Sequence, residues 1–115
     1  MLMHEYSIVS SLIALCEEEV GRHKAASVSR VEVKIGVYSG VEPHLLEVAF
    51  DTFKERSICK NADFIMHIQP LKVRCCSCGS ESELITSRYR CPECESTNLE
   101  VIDGEDMYLM RLELE

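Results

Sequence analysis

The residues best spaced for chemistry are cysteines. Cys75-x2-Cys78 and Cys91-x2-Cys94 are two tight pairs with twelve residues between them. Each pair lets two thiolates converge on one ion at about 2.3 Å, and the two pairs together supply the soft ligands of a tetrahedral zinc site. Ser77, Gly79 and Pro92 favour the tight backbone this needs. Four thiolates close the coordination sphere and leave no position for an activated water, so the expected role is structural Zn(II) rather than catalysis. A redox dithiol is the competing use of Cys-x2-Cys. Two matched pairs in a segment with no core of its own favour an ion that folds it. Cys76 lies inside the first pair, where Cys76-x-Cys78 is a competing register. Only Cys75 reproduces the spacing of the second pair, which leaves Cys76 as a spare thiol.

Elements with more apolar material must hold this segment. Across residues 5–20, Ile8, Leu12, Cys16 and Val20 recur every fourth position with Val9 and Ile13 beside them, the stripe of an amphipathic helix that Gly21 then weakens. Residues 29–37 alternate Val31, Val33, Ile35 and Val37 against Arg30, Glu32 and Lys34, as in a half-buried strand. Pro43 suits the first position of a second helix carrying Leu46, Ala49 or Phe50, and Phe53. Phe64, Met66 and Ile68 mark a second strand, which Leu71 and Val73 continue past Pro70. A last strand starts at Met107, with Tyr108, Met110, Leu112 and Leu114 as its more apolar face. Residues 75–98 are poor in large apolar side chains and offer only short extended pieces at 83–86 and 88–90.

The expected fold is α+β: a small mixed sheet of about three strands with two helices, plus an inserted zinc-ribbon-like module. Residues 1–73 and 99–115 form one α/β domain, and residues 74–98 the insertion. The strands flanking the insertion are expected to leave the main sheet and return to it. At 115 residues and 46% hydrophobic composition, one modest core is affordable by size, with a satellite beside it. A net charge of −8, from 20 acidic and 12 basic residues without a basic cluster, argues against nucleic acid and anionic membranes. No apolar run reaches spanning length and the N-terminus lacks a secretion leader, so a cytoplasmic location is expected. Seven cysteines there suit metal thiolates better than disulfides.

A second kind of metal chemistry starts at His4-Glu5. Imidazole, amide nitrogens and a chain-end amine suit square-planar Ni(II) or Cu(II), although a histidine near a terminus is on spacing alone a solvated or capping residue. Met3-His4-Glu5-Tyr6-Ser7, Ser39-Gly40-Val41-Glu42-Pro43, the paired cysteines and Gly104-Glu105-Asp106-Met107 together resemble the HypA family, nickel metallochaperones of nickel-iron hydrogenase maturation. The likeness covers nearly the whole chain, and the Met-His-Glu start joined to the double knuckle is more specific than either alone.

The resemblance implies that His4, Glu5 and Glu42 contribute to a site for transferable Ni(II), together with the amine and an amide nitrogen. It also implies GTPase HypB and the hydrogenase large-subunit precursor as partners, with urease maturation proteins served in some bacteria. Met1-Leu2 precede the Met-His-Glu motif here, which moves the amine two residues from the family's position. No G-x-x-x-x-G-K-[ST] occurs, so GTP chemistry would enter through a partner and the chain is expected not to be an enzyme.

The alternative is a zinc-ribbon nucleic-acid or protein-binding adaptor. Arg88-Tyr89-Arg90 could stack on a base, but Glu81, Glu83, Glu93 and Glu95 outnumber the arginines of that segment. His67 reads as a strand residue, His23 and His44 as solvated, Cys16 and Cys59 as small core residues, and residues 17–19 as a solvated acidic helix face.

Overall fold

An alternating strand at the centre organises the protein. The computed structural model describes residues 2–85 and 88–115, with side chains from His4 onward. Its elements run α1 (Leu2–Arg22), β1 (Val28–Gly36), α2 (Pro43–Phe53), β2 (Asp63–Gln69), β3 (Leu71–Cys75), β4 (Glu81–Leu84), β5 (Leu99–Asp103) and β6 (Met107–Leu114), with one 3-10 turn at Lys54–Arg56. β1 lies between β2, to which it is parallel, and β6, to which it is antiparallel. The parallel pair requires a crossover, which α2 supplies. This is the expected mixed three-stranded sheet with two helices.

The core forms where the apolar face of β1 meets both helices. Val31, Val33 and Ile35 are buried there with Val9, Leu12, Ile13, Cys16 and Val20 of α1 and Leu46, Ala49 and Phe50 of α2. Phe50 stacks on Phe64 of β2 at 4.3 Å, and Tyr6 meets Phe53 edge-on at 5.2 Å, which locks the two helices together. Cys16 and Cys59 are both buried in this core, as expected.

β6 departs from simple alternation. Glu32 pairs with Arg111 and Val33 with Leu109, so Met110 is an extra residue on the β6 side. A bulge of this kind reverses the side-chain phase. Met107 and Leu109 before it, and Leu112 and Leu114 after it, therefore all pack against the core, while Tyr108 and Met110 are exposed. The expected face of Tyr108, Met110, Leu112 and Leu114 is corrected accordingly.

The extended segment that the sequence carries through Pro70 is broken there. Proline has no N–H to donate, the β1–β2 ladder stops at Gln69, and the chain crosses into a second sheet of order β4-β3-β5. The strands flanking the cysteine segment, β3 and β5, pair with each other in that antiparallel sheet, and β6 makes the return to β1. The extended piece expected at 83–86 appears as β4, ending at Leu84, and Thr86 lies outside the described residues. Residues 88–90 form no strand.

Two crossings join the sheets, Gln69-Pro70-Leu71 and Asp103-Gly104-Glu105. They touch at Gly104, whose φ is +106° and where a Cβ would lie 2.7 Å from Leu71 Cα and 2.8 Å from Pro70 O. A Cβ on Gly36 would likewise overlap the Gly104 carbonyl. Only glycine fits either place. Lys34 Nζ of β1 lies 2.6 Å from Asp103 Oδ2 at the end of β5 and ties the sheets by charge. No helix among the described residues is long and apolar enough to cross a membrane.

Candidate metal centres

The cysteine site is assembled by the second sheet. β3 delivers Cys75 at its end, and the turn into β4 carries Cys78. The second turn, carrying Cys91 and Cys94, leads into β5. All four sulfurs lie within 4.8 Å of one another, with Cys75 and Cys91 buried and Cys78 and Cys94 exposed. Across the turns, Cys75 Sγ is 3.5 Å from Cys94 Sγ and Cys78 Sγ is 3.7 Å from Cys91 Sγ. Cys76 is exposed and outside the cluster, and its N–H donates to Asn98 O. The register taken from the second pair is therefore the one that converges.

The protein supplies donors to these sulfurs. The backbone N–H groups of Cys78 and Ser77 both reach Cys75 Sγ at 3.4 Å and hold its thiol below the ordinary range. Cys91 is brought down to about 6, first by the Ser80 hydroxyl and then by the Cys94 N–H. Cys94 receives the Ser96 N–H, which favours its thiolate, yet burial and the sulfurs of Cys75, Cys78 and Cys91 push it up to about 12. Four neighbouring thiols cannot all ionise unaided, because each thiolate raises the cost of the next. A divalent cation among them removes that conflict, so the donor set fits a metal ion.

The other candidate centre lies where α1 and α2 meet. Glu5 continues the α1 stripe one turn before Val9, and it is the buried charged residue of the described chain, 3% exposed. Its Oε2 accepts the Glu42 N–H at 3.3 Å, and its Oε1 has no hydrogen-bond partner among the described residues. A buried carboxylate oxygen without a partner is costly and needs a reason. Glu42 precedes Pro43 and caps α2, its Oε2 accepting the Leu45 N–H at 2.9 Å. His4 and Glu42 are exposed, next to Glu5 in sequence and by hydrogen bond respectively. The structure thus joins Glu5 to Glu42 directly, whereas His4 only precedes Glu5 on the first turn of α1: among the described residues the ligand atoms of His4, Glu5 and Glu42 do not converge as those of the four cysteines do. Met1, and the side chains of Leu2 and Met3, lie outside the described residues.

A family model described as hydrogenase/urease nickel incorporation, metallochaperone, HypA matches residues 3–114. The chain belongs to the HypA family. A hydrogenase maturation factor HypA of Aquifex aeolicus is 52% identical over 113 residues, covering 98% of both chains. One of Campylobacter jejuni is 48% identical over 111 residues, covering 96% of this chain and 97% of its own. The solution structure of the nickel metallochaperone HypA from Helicobacter pylori superimposes with a TM-score of 0.66 at 38% identity, covering 96% of each chain. HypA membership makes this protein a nickel metallochaperone of hydrogenase maturation.

The remaining sequence candidates sit where they do no site chemistry. His67 of β2 points from the outer sheet face to Glu32, with Nε2 2.9 Å from Oε1, and lowers that carboxyl. His23 and His44 are exposed. Glu17 and Glu18 are exposed and Glu19 is half-buried, paired with Arg22. One contributor was absent from the sequence reading: Ser80, whose hydroxyl lies among the sulfurs. Its signal was the shared pattern Cys-x2-Cys-x-Ser in both knuckles.

Proposed function

We propose that this chain carries Ni(II) at the α1–α2 junction and releases it to the hydrogenase large-subunit precursor, in the cytoplasm, with the GTPase HypB as its working partner. Urease maturation proteins are a second recipient consistent with the family's description. Glu5 carries the reading: a buried carboxylate oxygen with no partner among the described residues, one residue from His4 in sequence and bonded to the backbone of Glu42. Glu5 orients the junction and supplies negative charge, His4 a nitrogen donor, and Glu42 a carboxylate at the rim whose capping bond can be given up. Because His4 and Glu42 stand at the surface, a recipient can approach the ion without unfolding of the core. Square-planar nitrogen donors bind nickel firmly, yet this open edge allows transfer.

Zinc is the ion proposed for Cys75, Cys78, Cys91 and Cys94. Sulfur separations of 3.5 and 3.7 Å suit the ~3.8 Å edge of a tetrahedron with Zn–S bonds of about 2.3 Å. When bound, zinc supplies the cross-link that a segment poor in apolar residues needs in order to fold. The division of labour is proposed by sheet: α1, α2 and the sheet β2-β1-β6 form the nickel-binding unit, and the sheet β4-β3-β5, whose strands carry residues 74–98, the zinc module. An adaptor that binds nucleic acid is disfavoured, because Lys72, Arg74 and Arg90 lie within 4.0 Å of Glu81, Glu100 or Glu95.

The test is calorimetric titration of Ni(II) into protein already holding one equivalent of zinc. One further equivalent of Ni(II) is expected to bind, and His4→Ala to abolish it with zinc retained. Nickel binding indifferent to His4→Ala would refute the site.

A further inference from the structure

The two knuckles are copies of one six-residue pattern. Cys75-Cys76-Ser77-Cys78-Gly79-Ser80 and Cys91-Pro92-Glu93-Cys94-Glu95-Ser96 both read Cys-x2-Cys-x-Ser. Their backbones match: the first cysteine N–H donates to the serine carbonyl at 2.8 and 2.9 Å, and the fifth residue N–H to the first cysteine carbonyl at 2.9 Å in each. The fifth residue is in the left-handed region in both, with φ +79° at Gly79 and +63° at Glu95. Glu95 accepts a conformation that ordinarily favours glycine, so the turn geometry is imposed by the site.

The likeness stops at the serine hydroxyls. Ser80 Oγ lies 3.1 Å from Cys78 Sγ and 3.5 Å from Cys91 Sγ, one sulfur from each knuckle. Ser96 Oγ instead lies 2.9 Å from Ser77 Oγ and accepts the Asn98 N–H at 3.1 Å. Both serines are half-buried. Equivalent positions therefore have different partners, and of the two serines Ser80 is the one that bridges the turns through sulfur.

A thiolate has no proton to give, so with metal bound Ser80 is the donor, its single hydroxyl hydrogen shared between the two sulfurs, Cys78 Sγ at 3.1 Å and Cys91 Sγ at 3.5 Å. Donation to a metal-bound thiolate drains charge from sulfur, lowers its affinity for protons, and fixes its direction toward the ion. We propose that Ser80 is a positioning residue of the four-sulfur site, its hydroxyl clasping Cys78 and Cys91 across the knuckles and slowing metal loss. The proposal rests on the four-thiolate zinc reading. It gives a nickel carrier a way to keep its structural ion while its cargo exchanges.

The test compares the zinc-loaded chain with Ser80→Ala, Ser80→Thr and, as the matched control, Ser96→Ala. Zinc loss is followed with excess 4-(2-pyridylazo)resorcinol, and the same variants loaded with Co(II) report the sulfur-to-cobalt charge-transfer band. Ser80→Ala is expected to lose zinc about tenfold faster and to shift the band to lower energy, because an undrained thiolate gives up an electron more readily. Ser80→Thr, which keeps the hydroxyl, is expected to restore both, and Ser96→Ala to match the parent. Parent-like release and spectrum in Ser80→Ala would overturn the proposal, as would the same changes in Ser96→Ala, which would mean general loosening of the turns. A parent chain that binds neither zinc nor cobalt would instead overturn the four-thiolate reading itself.

Discussion

Glu5 is where stability and function are set against each other, and Glu5→Met exposes the conflict. The wild-type carboxylate lies 3% exposed on the apolar stripe of α1, with one hydrogen bond at 3.3 Å and one oxygen unpartnered among the described residues. Removing a carboxylate from water costs several kcal/mol even after relaxation, and a single long bond to it returns only about 1.5 kcal/mol. A methionine of similar volume avoids that cost, loses that bond, and packs against Val9 and its neighbours. The balance favours the variant by about 2 kcal/mol without nickel, or roughly 8 °C in Tm at about 4 °C for each kcal/mol in a domain of this size. Differential scanning calorimetry on the zinc-loaded, nickel-free proteins measures the shift, and nickel titration measures the loss of binding. Glu5→Gln, which keeps the shape and an acceptor for the Glu42 N–H, should lose nickel affinity while leaving the helix junction in place. A lower Tm for Glu5→Met, or unchanged nickel affinity in both variants, would refute the reasoning.

Cys91→Ala should abolish metal binding at the four-cysteine site and expose the amides of residues 75–85 and 88–98 to rapid hydrogen exchange, while circular dichroism retains the signal of α1 and α2. Loss of helix in that variant would mean that the sheets fold as one unit. The Lys34 ammonium beside Asp103 holds its carboxyl below the ordinary range. With the folded value below the unfolded one, this contact contributes fully above the unfolded Asp range and is lost as pH falls through that range to the lower folded value. Acid titration should therefore find Asp103→Asn less stable than the parent at neutral pH, with the difference vanishing in strong acid. A difference that persisted there would assign the effect to packing.

Local rules made much of the framework legible. Alternation identified β1, Pro43 marked the start of α2, and cysteine spacing alone picked Cys75 over Cys76. Non-local pairing hid the rest. The sequence Leu99-Glu100-Val101-Ile102-Asp103 becomes a strand because β3 is available to pair with it, and β3 is available because Pro70 ends the ladder to β1. The bulge at Met110 left no mark in composition, since Tyr108, Met110, Leu112 and Leu114 make an apolar series as plausible as the one that packs. Glu5 was legible in principle: an acid placed one helical turn before Val9 on an otherwise apolar stripe contradicts its surroundings, and such contradictions collect at functional sites.

The two candidate centres use opposite strategies for holding a cation. The cysteine cluster would surround an ion with four thiolates from two turns, with backbone N–H groups and the Ser80 hydroxyl directed at the sulfurs and no ligand position left open. Those features favour retention. At the α1–α2 junction only Glu5 is buried, while His4 and Glu42 remain exposed and Glu42 is shared with a helix cap. A site built from one buried charge and two surface donors gains affinity from the first and transferability from the others. On the proposed reading the same contrast makes the cysteines, the plainest feature of the chain, a scaffold that folds only around its ion, and the α1–α2 junction a cargo site that stays folded when its ion leaves.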